Sequence, residues 1–312
     1  MKKGLLISIV ILLLALGAIY LFIPANLKIS RTIRIEANKE ALYRKLSQSA
    51  AWAEWWPGAK TPDESGAWVL DGALFQPLEQ KMLSLSVLLK EGSVETTADL
   101  TLIAIKTDSC LLNIETSIPG SNNPFSRVNN YLKAVKIKDH FATMLNAINS
   151  QYSKIPALYG YDIRKEKVVD SNLVYISATS KGLPAVEQVY GMVSKLKAYI
   201  QTQQAAETGH PMLNVFTTDS LNYQVRVAIP VNRRLPDAGE IHYKWMLGGG
   251  NILIMEVKGG PAEIKKAYTE INHYVNDYKR IAPAIPFESL VTDRSVEKDS
   301  TKWVTRIYYP VI

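Results

Sequence analysis

The carboxyl-terminal part of the sequence contains an internal duplication. Residues 162–231 and residues 241–312 share one order of features, with two β-like runs, an amphipathic helical segment and two further β-like runs. A repeat of this length indicates two similar units that bury their apolar faces against each other. The sequence therefore predicts one domain of two ββαββ halves related by a pseudo-twofold axis, with both helices on the same side of a joined sheet.

The boundaries of the two helical segments follow from local signals. The first is predicted over residues 184–203, where apolar residues recur at helical spacing and Pro184 suits a helix start. The second is predicted over residues 261–278, and Pro283 and Pro286 prevent its continuation. Each half thus supplies one amphipathic helix to cover the sheet.

The two halves differ most clearly at one aligned position. Leu213 lies two residues after Pro211 in the first half, and Glu288 lies two residues after Pro286 in the second. An unpaired buried carboxylate costs several kcal/mol, so Glu288 must face water, pair with a basic residue or bind a cation. The sequence leaves two readings open, a counter-charge for a cationic ligand and an ordinary ion pair.

Aromatic residues of the duplicated region could stack on a flat or cationic ligand. Each such cation–ring contact is worth roughly 0.5–2 kcal/mol. A second acidic candidate lies in the run ILIMEVKGG. The predicted ligand-binding residues are Glu288, Tyr190, Trp245, Tyr268, Tyr274, Tyr308 and Glu256.

Three segments of the second half, GGPAEIKKAYTEI, PFESLVTD and WVTRIYYPVI, resemble the GyrI-like or effector-binding domain of bacterial multidrug-sensing regulators. The resemblance covers about residues 160–312. It implies an apolar cleft between the halves and an acid that contacts cationic, aromatic, drug-like molecules.

Pro286, Glu288 and Asp293 fit the Pro-x-Glu-x-Tyr-x-x-Asp pattern of that family, and two positions depart from it. The tyrosine of the pattern is Leu290 here, which removes an aromatic wall. The acid often found in the last strand is Arg306, which could pair internally with Glu288.

Residues 27–154 predict a separate α+β domain of strand, short helix, antiparallel meander and long final helix. The segment IRIEANKEALYRKL followed by WAEWWPG resembles the START-like superfamily, also called SRPBCC or polyketide cyclase-like. The resemblance implies a helix-grip fold with an apolar cavity between the sheet and the long helix. Four tryptophans either lie near that cavity or belong to an ordinary core: Trp52, Trp55, Trp56 and Trp68.

The uncharged run 5–23 would extend about 28 Å as a helix, which matches the thickness of a bilayer core. A cleaved signal peptide is the alternative, but no small-residue cleavage site follows the run. We expect an uncleaved anchor in the bacterial inner membrane, with the rest of the chain outside the cytoplasm. The predicted order is an anchor at 1–26, a START-like domain at 27–154, a linker at 155–161 and a GyrI-like domain at 162–312.

Composition and motifs exclude several other classes. The sequence is 47% apolar and 21% charged, which is typical of a folded protein, and its net charge of +7 is spread without a basic block. A lone cysteine, Cys110, cannot form an intramolecular disulfide. The four histidines lack metal-ligand spacing, and residues 248–250 lack the Lys-Ser/Thr end of a phosphate loop. We expect neither a metal nor a cofactor.

These observations predict a protein that binds a small apolar, amphipathic or cationic molecule at the membrane, with Glu288 as counter-charge. The resemblance to GyrI-like proteins leaves hydrolysis of small reactive compounds, with Glu288 activating water, as an alternative. A structural or partner-binding module is a second alternative. No nucleic acid is expected as a partner, because residues 1–154 replace the DNA-binding region of the related regulators.

Overall fold

The computed structural model describes residues 2–81, 83–169, 171–217 and 222–312, without the side chains of Lys2, Lys3, Leu5 and residues 79–81. The chain divides into two compact units, Met1–Leu158 and Tyr159–Ile312. Among the described residues, each unit contains one antiparallel sheet. The predicted α+β class is therefore confirmed.

The first unit begins with helix α1, Lys2–Phe22. Tyr20 and Ile23, at the carboxyl end of this helix, bond to the segment that opens the last helix of the unit. Within the described part of the chain, no helix meets the length and apolarity that crossing a bilayer requires. The side chains of Lys2, Lys3 and Leu5, which belong to the predicted anchor, lie outside the described residues.

The sheet of the first unit has the strand order β1-β6-β5-β4-β3-β2. Consecutive strands from β2 to β6 are neighbours, so this part is the predicted meander. The strands are β1 (Asn26–Ile35), β2 (Trp68–Leu70), β3 (Ala73–Lys81), β4 (Ser84–Glu91), β5 (Val94–Lys106) and β6 (Ser109–Pro119), and the helices are α2 (Lys39–Ser47), α3 (Trp52–Trp55) and α4 (Pro124–Tyr152).

Side-chain caps fix the starts of two helices in this unit. Asn38 accepts bonds from the first amides of α2, and Asn123 does the same for α4. Such a cap satisfies amide groups that have no partner inside the helix. Helix α4 packs against β1 and β6, the arrangement of long helix and sheet that the START-like resemblance implies.

The tryptophans of the first unit form its core. Trp52 stacks on Trp56 with ring centroids 5.6 Å apart, and Trp55 and Trp68 lie against the same pair. All four side chains are buried. Trp52 also lines a small pocket of about 200 Å³. The reading of these residues as ordinary core is the one that the packing supports.

The second unit contains the duplication, and each half runs strand, strand, helix, strand, strand. Helix α5 (Ile155–Tyr159) occupies most of the segment that was predicted as a linker. The first half comprises β7 (Arg164–Lys167), β8 (Ser171–Lys181), α6 (Val186–Thr202), β9 (Met212–Thr217) and β10 (Asn222–Val231), and the second comprises β11 (His242–Met246), β12 (Asn251–Lys258), α7 (Pro261–Asp277), β13 (Phe287–Leu290) and β14 (Val304–Val311).

The two halves exchange their first strands. The sheet order is β11-β8-β10-β9-β13-β14-β12-β7, so β7 pairs with the second half and β11 with the first. Counted from either edge, the strands of one half occur in the same order as their counterparts in the other half. The pseudo-twofold axis therefore lies between β9 and β13. There Glu288 lies directly opposite Leu213, the residue with which it aligns in the repeat.

The hydrophobic core of the second unit lies on the helix-covered face of the sheet. Val193 and Leu196 of α6 pack in one cluster with Val225 and Val227 of β10 and with Leu290 of β13. Helix α7 contacts β12 and β14 in the same way. Because side chains alternate along a strand, the residues between these core positions point to the opposite face of the sheet. Neither α6 nor α7 covers this face, which is called the uncovered face.

Candidate functional site

Alternation along β13 places its residues on two different faces. Leu290 belongs to the core beneath α6, so Glu288, two residues earlier, shares the helix side of the sheet. Phe287 and Ser289 point the other way and line a cleft on the uncovered face. Glu288 and the cleft are therefore separated by the sheet.

Glu288 has an internal counter-ion. Its Oε2 atom lies 3.7 Å from Nη2 of Arg294, and the two side chains are 16% and 9% exposed. Burial raises the pKa of Glu288 above its ordinary 4.5, while Arg294 opposes the rise. The pair is largely removed from water, so each charge depends on the other for compensation.

Arg294 is held on several sides within the loop that joins β13 to β14. Its guanidinium carbon lies 4.8 Å from the ring centroid of Trp303, and Nη2 donates a 2.7 Å bond to Oγ1 of Thr305. Its backbone amide donates a 2.7 Å bond to the hydroxyl of Tyr190, which donates in turn to the carbonyl of Thr292. The arginine is thus fixed by residues of both halves.

Two of the predicted aromatic residues belong to this buried group. Tyr190 comes from α6, and burial raises the pKa of its phenol. Tyr268 comes from α7, and its pKa is raised first by burial and then by the negative charge of Glu288. Tyr190 thus contacts Arg294, and Tyr268 lies near Glu288, with Arg294 as a member of the group that the sequence analysis did not name.

Arg306 does not pair with Glu288. Its Nε donates a 2.9 Å bond to Oε2 of Glu256, the residue opposite it on β12, and the two side chains are 40% and 51% exposed. This pair lies on the uncovered face of the sheet. The predicted site residue Glu256 is thus engaged with Arg306, and the internal ion pair of Glu288 is made by Arg294 instead.

The uncovered face carries a cleft of about 440 Å³ that is lined by both halves. Tyr308 of β14, another predicted site residue, stacks on Phe287 with centroids 5.0 Å apart and planes 5° from parallel. The volume suits a small organic molecule. The apolar and aromatic lining consists mainly of Met212, Met246, Ile252, Ile254, Phe287 and Tyr308.

Polar groups of both signs border the same cleft. Glu166 and Lys167 come from β7, His210 precedes β9, and Arg306 reaches the cleft from β14. Ser289 lines the cleft where the two halves meet, opposite Met212 of β9. The cleft can therefore combine an apolar surface for a flat group with polar contacts for a charged or hydrogen-bonding end.

The remaining predicted residues lie apart from both places. Tyr274 is buried on α7, stacks on Tyr278 at 4.3 Å and has its pKa raised by burial. Trp245 lies on the edge strand β11 and is 56% exposed. The structure thus distributes the predicted residues between a buried acidic group, a cleft on the other face and two separate positions.

Among the described residues, no group of three or more histidine, cysteine, aspartate or glutamate side chains is placed to hold a metal ion. The isolated Cys110 is buried, and burial raises the pKa of its thiol to about 11.

Sequence reasoning missed Arg294, Trp303 and Phe287. Phe287 could have been found from the alternation of β13, since it flanks Glu288 on the strand and must face the other way. Arg294 carries no such signal, because it is one basic residue within the irregular segment TDRSVEKDS. Its proximity to Glu288 depends on the path of a loop.

Comparisons with known proteins give distant structural neighbours only. No protein family matches the sequence, and no curated protein matches it either. A cryo-EM structure of an EcmrR-DNA complex is 18% identical, covers 61% of this chain and 72% of its own, and has a TM-score of 0.44. SAV2435 bound to tetraphenylphosphonium is 15% identical, covers 48% of this chain and 94% of its own, and has a TM-score of 0.34.

The neighbours also include a START superfamily protein from Mycobacterium smegmatis. It is 16% identical, covers 40% of this chain and 97% of its own, and has a TM-score of 0.29. At this similarity none of the three neighbours assigns a function to the chain. The expectation that the protein binds no nucleic acid stays a prediction.

Proposed function

We propose that the second unit binds a small molecule with a flat apolar or aromatic part in the cleft of the uncovered face. The observation that carries this proposal is a 440 Å³ space lined by methionine, isoleucine and the stacked pair of Phe287 and Tyr308. Such an adaptable, aromatic lining is typical of sites for small organic ligands. Glu166, His210 and Arg306 then orient the polar end of the ligand.

The counter-charge role of Glu288 belongs, in this proposal, to a separate position on the helix side of the sheet, where Arg294 supplies the positive charge in this chain. Glu288 faces away from the cleft and lies beside Arg294, whose backbone amide donates to the hydroxyl of Tyr190. Tyr268 is near enough for the charge of Glu288 to raise its pKa, so a positive charge there has an acid and aromatic residues around it. A buried acid of this kind attracts positive charge strongly because water screens it little. The positive charge that Glu288 compensates and the flat ligand in the cleft therefore lie on opposite faces of the sheet.

Binding in the cleft is tested with two aromatic dyes of opposite charge, rhodamine 6G and 1-anilinonaphthalene-8-sulfonate, titrated into the full chain. Replacement of Tyr308 by alanine removes half of the stacked pair. We expect about tenfold weaker binding of at least one dye, since an aromatic contact together with its buried area contributes on the order of 1.4 kcal/mol.

Tyr309→Ala is the matched control. Tyr309 is the next residue of the same strand, but its hydroxyl donates to Asn272 on the helix-covered side. This change should leave dye binding within about twofold of the wild type. Equal losses in the two variants, or no binding by the wild type, would remove the cleft as the ligand site.

Hydrolysis with Glu288 as general base is the enzymatic alternative. The raised pKa of Glu288 is the property that such a base requires. The nearby guanidinium of Arg294 works against it, because the ion pair occupies Oε2. A screen of small epoxides and activated esters decides the matter, since a true base would show turnover that Glu288→Gln abolishes while ligand binding persists.

We also propose that α1 holds the protein at the bacterial inner membrane, with the remainder outside the cytoplasm. Support comes from the uncharged run 5–23 and from the exposure of its leucine and isoleucine side chains, including Leu14 and Leu21. The full chain should remain with membranes after carbonate extraction, and protease added to spheroplasts should degrade it. Release by carbonate would count against the anchor.

A further inference from the structure

The surroundings of Arg294 have the composition of a binding site for a small organic cation. The guanidinium lies over the face of Trp303 and beside the carboxylate of Glu288, with the hydroxyl of Thr305 as a hydrogen-bond acceptor. Tyr190 and Tyr268 complete the group. An acid together with an aromatic face is the combination that proteins use to hold organic cations.

The guanidinium itself is incompletely satisfied. Nη2 makes the bond to Thr305, whereas the buried Nε has no hydrogen-bond partner among the described residues. The contact to Glu288 is an ion pair at 3.7 Å, longer than a hydrogen bond. The guanidinium thus makes one hydrogen bond, one ion pair and one cation–ring contact. A separate organic cation could make contacts of the same kinds.

The main chain of the loop is held independently of this side chain. The amide of Arg294 donates to the hydroxyl of Tyr190, and Thr292 exchanges backbone and side-chain bonds with Val304. The indole Nε1 of Trp303 donates to the carbonyl of Glu297. Removal of the guanidinium therefore leaves the walls of the site attached to the sheet and to α6.

We infer that Arg294 is a built-in occupant of a cation site formed by Glu288, Trp303, Thr305, Tyr190 and Tyr268. The arginine excludes small organic cations from this site. It thereby determines that the helix side of the domain does not bind them. The inference rests on the proposed role of Glu288 as counter-charge. The ligand class that fits the site is an alkylguanidinium or a related small organic cation.

Chemical rescue tests this assignment in the full chain. Arg294→Ala removes the occupant but keeps its Cβ atom, and N-ethylguanidinium supplies a guanidinium on two carbons, which is the part of the side chain that the variant lacks. We expect a saturable rise in the melting temperature of Arg294→Ala with this cation. N-ethylurea, which has similar size and shape but no charge, should produce no such rise.

Two variants serve as controls. In Glu288→Gln/Arg294→Ala the acid is gone, so rescue should weaken at least about tenfold. In Arg306→Ala the arginine lost belongs to the exposed pair with Glu256, so no saturable rescue should occur. The wild type should also fail to bind the cation, because Arg294 fills the site.

Three results would overturn the assignment: binding by the wild type as tight as by Arg294→Ala, equal rescue by N-ethylurea, or rescue that is independent of Glu288. If Arg294→Ala does not fold alone, addition of N-ethylguanidinium should restore its folded fraction, and failure to restore it counts against the assignment. The cleft is tested separately, by dye binding to the wild type and to Tyr308→Ala. Refutation of either proposal therefore leaves the other standing.

Discussion

The two arginine–glutamate pairs of the second unit allow a direct comparison of buried and exposed charge. Arg294 and Glu288 are 9% and 16% exposed, whereas Arg306 and Glu256 are 40% and 51% exposed. Removing one partner of a buried pair leaves an uncompensated charge and costs about 3–5 kcal/mol. Removing one partner of an exposed pair costs about 0–1 kcal/mol, because water compensates the remaining charge.

We therefore predict that Arg294→Ala lowers the free energy of unfolding of the second unit by about 3–5 kcal/mol, and Arg306→Ala by less than about 1 kcal/mol. The exposed pair has the shorter contact, 2.9 Å against 3.7 Å for the buried pair. Distance alone would therefore predict the larger loss for Arg306→Ala. Exposure rather than distance should decide the loss.

Hydrogen exchange of peptides from β13 and β14, measured across a urea series, reports on this unit without interference from the tryptophans of the first. With a slope of about 2 kcal/mol per molar urea, Arg294→Ala should unfold at a concentration about 1.5–2.5 M lower than the wild type. Losses that agree within about 0.5 kcal/mol for the two variants would refute the reasoning from burial.

Three further predictions concern single residues. Burial raises the pKa of Glu288 above its ordinary 4.5, so the stability contributed by this group is fully present below about pH 4.5 and is lost as the pH rises through the raised pKa of the folded state. In Glu288→Gln the free energy of unfolding should lack this decrease with pH. Identical pH profiles of the wild type and Glu288→Gln in urea denaturation would contradict the prediction. Cys110 is buried with a pKa of about 11, so iodoacetamide at pH 8 should label it about a hundredfold more slowly than the urea-unfolded chain. Gly120→Ala should destabilise the first unit, because the added Cβ would lie 1.6 Å from the carbonyl oxygen of Ala25; a melting temperature equal to that of the wild type would show that the backbone can move aside.

The duplication and its helices could be read from the sequence because their signals are local. Proline and helical periodicity predicted helices over 184–203 and 261–278, and the structure has them at Val186–Thr202 and Pro261–Asp277. The aligned pair of Leu213 and Glu288 was also visible in the repeat. That they would face each other across the pseudo-twofold axis followed only from the pairing of β9 with β13.

The location of the cleft was only partly predictable. Tyr308 was expected at a ligand site, and it lines the cleft with Phe287. Glu288 was expected at the same cleft, but strand alternation directs it to the helix side. The strand has only four residues, too short for its sequence to indicate which face is buried.

The sequence by itself determined that an acid in an apolar strand needs compensation, because the cost of an unpaired buried charge is independent of the fold. It also offered one basic partner for that acid, Arg306. Only the tertiary structure showed that the partner is Arg294 instead. The register of β14 on β12 commits Arg306 to Glu256 on the open face, and the loop after β13 brings Arg294 back beneath α6. Both facts depend on contacts between segments distant along the chain, which no local pattern records.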